Sequence, residues 1–345
     1  MINNLLSYSG ISTKIKAMEA KLITDKEYKM IANLDTVIDF ITFLSGHPGY
    51  REIFADYDEG SLHRTEVEQI LSNALYLDFA KIYRFADPEQ RRDLDLLLFR
   101  YEITLLKSFV RLIYSEEDAV DLSVIYSLFE SHTSINLSVL SVSKTMEEFI
   151  MNLNGTQYYS VLSKLHDTGT PTSFDYETTL DQFYFKKVWK LKEKQLNGQN
   201  YKAFTNRLGT EIDLLNIMWI YRSKRIYNID SPNIFAFIIP VNYKLTKEQL
   251  TALATSNSIE EFAEILRNTH YVNMCLSLQN GTLEICYRKM IEKIYKKNVS
   301  KYLYSMATAN AYLYKKEMEI SHLTTALECI RYKLSPQDKL SYILP

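Results

Sequence analysis

The sequence predicts an all-α protein built from three tandem homologous helical bundles. A helix-hairpin pattern occurs three times, and a second, unrelated motif recurs with nearly the same period of about 110 residues. The 345 residues also include only 9 Gly and 7 Pro. Few such residues leave few tight turns, which favours helices over many short strands. Solenoid repeats run at roughly 20–50 residues, so the longer period indicates repeats of domain size.

The hairpin pattern is clearest from Thr246 to Leu266, with Phe262 as its reference, and it recurs around Phe40 and Phe149. In each copy a Ser or Thr is followed three residues later by an acid, which is the capping box that starts a helix. An earlier threonine suits an N-cap, so we expect another helix before each box. The boxes are Thr36/Asp39, Thr145/Glu148 and Ser258/Glu261, the earlier threonines are Thr24, Thr133 and Thr246, and a tyrosine follows each phenylalanine at Tyr50, Tyr158 and Tyr271.

The second motif is Glu-Ile-x-x-Leu, which begins at Glu102, Glu211 and Glu319. Its copies are 109 and 108 residues apart, and the three phenylalanines are 109 and 113 residues apart. Two unrelated motifs with such similar periods make chance similarity a poor explanation. We therefore predict helical modules at residues 1–120, 121–235 and 236–345, each large enough to bury a core of its own.

Within module one, we expect one or two helices over residues 13–32, a break at 46–49 and a helix that ends near Arg84. Pro88, at a first-turn position, then starts a long apolar helix. Module two repeats this helix pair, with a break at 197–200 and a last helix over 201–227. Module three ends with a helix over 305–333, which the pair Ser335-Pro336 is expected to stop before a short tail.

Composition and charge exclude several classes of function. The net charge of −2 argues against a mainly electrostatic nucleic-acid binder. The longest apolar run, residues 234–241, is far below the ~20 residues that a membrane helix needs. No secretory signal is visible. The three cysteines lack metal-type spacing, which suits a reducing, cytosolic setting.

The sequence contains no phosphate-binding glycine loop and no H-E-x-x-H zinc motif. Glu102, Glu211 and Glu319 could form the acidic centre of a helical enzyme only if they converge in one pocket. Because they occupy one position in three copies of a helix, a shared structural role, such as an inter-helix hydrogen bond, is the better interpretation. We therefore assign no catalytic, cofactor-binding or metal-binding residue, and no cofactor.

The remaining polar and reactive candidates have ordinary interpretations. We interpret His166-Asp167 as loop polarity, and Cys275 and Cys286 as buried thiols that act as small apolar residues. Two basic stretches cover residues 186–194, which include Trp189, and residues 288–301. They form either solvated helix faces or a surface for a partner or for lipid headgroups.

Taken together, four passages resemble one known family, and their order and spacing cover essentially the whole chain. They are Lys14–Met18 with Leu22 and Tyr28, Glu147–Tyr158 with Glu260–Tyr271, Glu211–Ile217 with Arg222, and Asn310–Ile320. The chain resembles the C subunit of the prokaryotic V/A-type (vacuolar/archaeal-type) rotary ATPases, which is equivalent to the eukaryotic V-ATPase d subunit. One departure is that Val241-Asn242 follow Pro240, where the family often has glycines.

The resemblance implies a three-lobed funnel with pseudo-threefold symmetry on the cytoplasmic side of a membrane rotor ring. It implies that the D and F shaft subunits insert into the hollow, and that the chain couples ATP hydrolysis or synthesis to ion movement without making bonds itself. The expected partners are therefore the shaft and the proteolipid ring, with no nucleic acid and no membrane-spanning segment in this chain. The alternative is a helical scaffold or adaptor of another multi-subunit assembly.

Overall fold

The computed structural model of the protein describes residues 2–55, 57, 62–115, 133, 135–226, 229–279 and 283–344. All regular secondary structure in these ranges is helical, which confirms the predicted all-α class. The chain divides into two compact units. One contains Met1–Asp87, Val120–Leu137 and Thr308–Pro345, and the other contains Pro88–Ala119 and Ser138–Ala307. The division into three tandem modules stays a prediction, and its boundary at 120 lies outside the described residues.

The described residues form eighteen α-helices. The first nine are α1 (Ile2–Glu19), α2 (Asp25–Ala32), α3 (Val37–Gly46), α4 (Arg51–Phe54), α5 (Arg64–Phe85), α6 (Pro88–Ser115), α7 (Leu137–Leu140), α8 (Met146–Asn152) and α9 (Tyr159–His166). They are followed by α10 (Ser173–Gln195), α11 (Gly198–Arg225), α12 (Ser231–Phe237), α13 (Lys247–Thr255), α14 (Ile259–Arg267), α15 (Cys275–Gln279), α16 (Leu283–Lys301), α17 (Ala307–Arg331) and α18 (Pro336–Ile343).

The core of the first unit joins the two ends of the chain. Phe40 and Leu44 of α3 are fully buried in one cluster with Leu71 of α5 and with Leu323 and Leu327 of α17. The first hairpin, α2–α3, therefore packs on the last long helix of the sequence. In the second unit α6 packs along α10, and α11 packs against α16 and against the hairpin α13–α14.

The hairpin caps form in all three copies. Thr36, Thr145 and Ser258 each accept a hydrogen bond from the backbone N–H three residues later, at 3.1, 3.2 and 3.1 Å. The acid of the box differs from the prediction in all three copies, because none of the three accepts from the backbone N–H of its own cap residue. Asp39 accepts from the Thr36 hydroxyl at 2.6 Å. Glu148 and Glu261 accept from the N–H that precedes the cap residue, at 2.9 and 2.7 Å, and not from the cap itself.

The predicted long helices are confirmed as α5, α6, α10, α11 and α17. Two local predictions are wrong. Thr133 does not cap a helix of normal length, because its hydroxyl accepts from Ile135 N–H at 3.2 Å and α7 is a single turn. Ser335-Pro336 does not lead into a short tail: Ser335 caps α18, whose Ile343 is fully buried. The proline satisfies the first-turn rule, so the pair ends one helix and starts another.

Candidate functional site

Three tyrosine–carboxylate clusters connect the hairpins to the long helices. The hydroxyl of Tyr50 donates to Glu319 Oε1 at 2.7 Å, and that of Tyr271 donates to Asp213 Oδ2 at 2.8 Å. Tyr158 donates to Glu102. All three tyrosines are fully buried. These are the tyrosines that follow the three reference phenylalanines, so the repeat seen in the sequence is also a repeat of contacts.

The same carboxylates bind the start of the hairpin in two copies. Ile23 N–H donates to Glu319 Oε2 at 2.5 Å, and Leu245 N–H donates to Asp213 Oδ2 at 3.1 Å. Each of these residues immediately precedes the threonine that caps the first helix of its hairpin. One side chain on a long helix thereby holds both the beginning of a hairpin and the tyrosine after its second helix.

Burial sets the protonation of these clusters. It raises the pKa of Tyr50, Tyr158 and Tyr271 well above the usual range, and the neighbouring carboxylates raise it further. The phenols therefore remain protonated donors, and the carboxylates are the acceptors. Each tyrosine hydroxyl is thereby satisfied by a charge-assisted hydrogen bond, which is stronger than a bond between two neutral groups.

The clusters differ in how the negative charge is balanced. Lys316, whose side chain is buried, contacts Glu319 Oε1 at 2.8 Å and lies 3.9 Å from the centre of the Tyr50 ring. Asp213 has no ion pair within the described residues, and its Oδ1 is buried without a hydrogen-bond partner. Burial accordingly raises the pKa of Asp213, although hydrogen bonds from the backbone of Lys244 and from Tyr271 oppose that rise.

The predicted shared role is confirmed for Glu102 and Glu319, and it is wrong for Glu211. Glu211 pairs with Arg207, one turn earlier on α11, at 2.9 Å. The residue that takes the repeated role is Asp213, two positions later. The sequence signal was present, because Asp213-Leu214-x-x-Ile217 is also an acid followed by aliphatic residues at the Glu-Ile-x-x-Leu spacing. The three glutamates have separate partners, and none of these contacts joins one to another.

Two further sequence interpretations need correction. His166 is not in a loop: it is the last residue of α9, and its Nδ1 lies 2.6 Å from the hydroxyl of Tyr176. Cys275 is buried as predicted, but Cys286 is only half-buried. The exposure of Cys286 depends on tertiary neighbours that local spacing does not specify.

The first basic stretch lies on α10 and is not uniform. Lys186, Lys190 and Lys194 are exposed, as a solvated face requires. Lys192 is 1% exposed, pairs with Glu193 at 2.6 Å and lies 4.0 Å from the centre of the Trp189 ring. The tryptophan inside this stretch is therefore a cation–π partner of a buried lysine. The second stretch lies on α16, and its basic residues are all exposed: Arg288, Lys289, Lys293, Lys296, Lys297 and Lys301.

A fixed loop follows α12 and is held by one face of α11. Asn216, which is buried, accepts from Ile239 N–H at 2.8 Å and donates to the Ile239 carbonyl at 3.0 Å. The ring of Tyr243 lies against Gly209, where a Cβ would come well within 3.0 Å of the ring. The turn that departs from the family pattern at Val241 is thus anchored before and after that residue. Gly209 is required because the Tyr243 ring leaves no room for a Cβ.

Among the described residues, no three His, Cys, Asp or Glu side chains are grouped so as to hold a metal ion. None of the helices that the structure describes has the length and apolarity needed to cross a bilayer.

Comparison with known proteins identifies what the chain is similar to. Residues 11–342 match the ATP synthase (C/AC39) subunit family. A relative from Thermococcus kodakarensis, the C subunit of an A-type ATP synthase, is 24% identical over 96% of this chain and 88% of its own length. Relatives of the same description from Methanosarcina mazei and Methanocaldococcus jannaschii are 27% and 20% identical, over 77% and 100% of this chain and 71% and 88% of their own lengths.

Proposed function

The chain belongs to the ATP synthase (C/AC39) subunit family, and on that basis we propose that it is a non-catalytic central-stalk subunit of a V/A-type rotary ATPase. In this role it acts as a socket that links the D and F shaft subunits to the membrane rotor ring. It lies on the cytoplasmic side and transmits rotation during ATP-driven ion transport or ion-driven ATP synthesis. The observation that carries the proposal is the family match over residues 11–342.

The internal contacts support a mechanical role. A protein that transmits torque has to resist deformation, and closely packed helices do so because protein interiors have low compressibility. The tyrosine–carboxylate clusters add buried, charge-assisted hydrogen bonds where each hairpin meets a long helix. Removing one partner of such a bond leaves a buried polar group unsatisfied, which costs about 1–3 kcal/mol. The hairpins are therefore firmly attached to the helices that support them.

The chemistry of the carboxylates also supports a non-catalytic role. Glu102 and Glu319 are buried and accept hydrogen bonds from tyrosines of the fold itself. A general base needs a pKa near the working pH and access to a substrate proton. Side chains that are enclosed by their own hairpin and already engaged in structural bonds do not meet the second condition.

Co-purification tests the proposal. A tagged chain is co-expressed with the D and F shaft subunits and with the ring subunits of the same organism, and the complex is isolated in mild detergent. We expect the chain to recover both the shaft and the ring, and the purified chain alone to hydrolyse no ATP. Recovery of neither partner would contradict the proposal and would favour a scaffold of another assembly.

A further inference from the structure

Three basic residues lie near the third tyrosine–carboxylate cluster, and two of them are in contact. Lys244 comes from the loop before α13, His270 from the turn after α14, and Lys297 from α16. Lys244 Nζ lies 3.1 Å from His270 Nε2. An ammonium group can only donate, so His270 Nε2 is the acceptor and the imidazole is neutral with its proton on Nδ1. The Lys244 ammonium group therefore contacts a neutral imidazole at the position where an ordinary ion pair would have a carboxylate.

Lys297 acts on both of the other groups. Burial is the largest cause that lowers the pKa of Lys244, and the charge of Lys297 is the second. The effect of Lys297 exceeds the opposing attraction of Asp213. Burial, then Lys244, then Lys297 lower the pKa of His270. Among the described residues, no carboxylate lies within ion-pair distance of Lys244, His270 or Lys297. The two lysine ammonium groups thus repel each other and disfavour a charged imidazole at His270, and a negative group placed there would oppose both effects.

One buried carboxylate holds the chain at two of these bases: it binds the backbone of Lys244 and the tyrosine next to His270. Asp213 Oδ2 accepts from the backbone N–H of Lys244 at 2.8 Å, and it also accepts from the hydroxyl of Tyr271, the neighbour of His270, at 2.8 Å. The His270 ring packs edge-on against Tyr271 at 5.3 Å. Because the backbone at Lys244 and the ring next to His270 are already held in the free chain, less ordering entropy is lost on binding than at a mobile loop.

We infer that Lys244, His270 and Lys297 form a binding site for a carboxylate of an acidic segment in a partner protein. Lys244 and His270 are in contact, and Lys297 is near enough for its charge to act on both of them, so an anionic group bound between Lys244 and His270 would be attracted by all three residues. Lys244 is half-buried, so a negative group on a flexible side chain reaches it more easily than a headgroup held in a flat bilayer. The inference needs only that the chain has protein partners, as its family membership implies, and it is independent of the socket role.

The site is a specific feature of the third copy of the hairpin. By the repeat offsets, Leu22 and Gly49 occupy in the first copy the places of Lys244 and His270. The first copy forms its tyrosine–carboxylate cluster without these bases. The basic side chains are consequently not needed to build the hairpin, which leaves them available for recognition.

Histidine NMR of the full-length chain tests the site, with the His270 imidazole as reporter. The probes are inorganic phosphate, a tetraglutamate peptide, and phosphatidylcholine vesicles that contain phosphatidylserine. We expect phosphate and the peptide to raise the pKa of His270 by about one unit, because an anion at this distance favours the imidazolium. The shift should largely disappear in Lys244→Gln and Lys297→Gln and should persist in the matched control Lys289→Gln, which is exposed two helical turns from Lys297.

Three results would overturn the inference. The first is a His270 pKa that neither phosphate nor the peptide changes. The second is an equal response in the wild type and in Lys297→Gln, which would separate the response from the site. The third is a response to phosphate or to vesicles without a response to tetraglutamate, which would replace the protein carboxylate by a phosphate-bearing ligand. None of these results bears on co-purification with shaft and ring, so the two proposals fail separately.

Discussion

Single hydrogen bonds between buried tyrosines and carboxylates recur in this molecule at equivalent places. A buried phenol without an acceptor, or a buried carboxylate without a donor, loses its hydration without compensation. The intact bond therefore contributes little net stability, whereas deleting one partner leaves the other unsatisfied and costs more. Sequence alone located the three tyrosines and two of the three acids, because their spacing repeats. It missed Asp213, because Glu211, two residues earlier, matches the Glu-Ile-x-x-Leu motif more closely.

Tyr158→Phe tests the energetic role of these bonds. The substitution keeps the ring and removes the donor to the buried Glu102. We expect the free energy of unfolding, measured by urea denaturation, to fall by about 1–3 kcal/mol. The matched control is the adjacent Tyr159→Phe, because the hydroxyl of this half-buried tyrosine makes no hydrogen bond with the described residues. Equal effects of the two substitutions would contradict the assignment.

Asp213→Asn tests the unbalanced charge of the third cluster. Burial raises the pKa of Asp213, so between the unfolded value of about 3.9 and the raised folded value the native state holds a proton that the unfolded state has lost. The stability that Asp213 contributes is therefore highest at low pH and falls as pH rises through that window. Asparagine does not titrate. Relative to the wild type, the variant should gain stability as pH rises, in urea midpoints measured from pH 4 to 7.

Glu319→Gln provides the contrast for that pH experiment. It removes a carboxylate that is paired with the buried Lys316, and breaking a buried pair by deleting one partner is strongly destabilising. If the two substitutions gave the same pH dependence, the difference in charge balance between the clusters would not be the cause.

Individual elements depend on contacts that local sequence does not reveal. Ser335-Pro336 was expected to stop a helix, and it also starts α18, because a proline that cannot continue one helix is well suited to the first turn of the next. Likewise, Gly209 lies inside α11, where glycine normally weakens a helix. Its reason is the ring of Tyr243 in a loop more than thirty residues later. Local patterns predict the helices, but these two positions are explained by their contacts with parts of the chain that are remote in sequence.

Gly209→Ala measures how closely the loop approaches α11. In an exposed helix this change would stabilise by about 0.5–1 kcal/mol. Here the new Cβ would lie well within 3.0 Å of the Tyr243 ring, and we expect a loss of about 1–3 kcal/mol from overpacking. Gly46→Ala, where no atom lies within 4 Å, is the control and should be neutral or slightly stabilising. Adding Tyr243→Ala should relieve the clash; a full loss in the double variant would refute the explanation.

Ile343→Ala measures the contribution of α18 to the first unit. Ile343 is fully buried in the core that contains α3, α5 and α17. Removing a buried isoleucine to alanine costs about 2–5 kcal/mol, so thermal or urea unfolding should show a large decrease. The adjacent Tyr342 is 61% exposed, and Tyr342→Ala should stay within about 0.5 kcal/mol of the wild type. A similar loss at both positions would mean that α18 does not pack as described.

At the scale of the whole molecule, the all-α class and the long helices were predictable from composition and helical spacing. The pairing of helices was not. A tandem pattern assigns the first hairpin to the first long helices, yet the hairpin α2–α3 also packs on α17 at the other end of the chain. Hydrophobic periodicity specifies which face of a helix is buried, and it carries no information about the element that covers that face.

We propose that the chain couples a rotating shaft to an ion-translocating ring. The most direct test is the coupling ratio, which is the number of ions transported per ATP hydrolysed. The complete complex and a complex assembled without this chain are reconstituted in vesicles, and ATP hydrolysis and ion uptake are measured together. We expect removal to leave ATP hydrolysis by the catalytic head intact and to abolish ATP-driven ion uptake. An unchanged ratio of ions transported per ATP hydrolysed in the complex that lacks the chain would contradict the proposal.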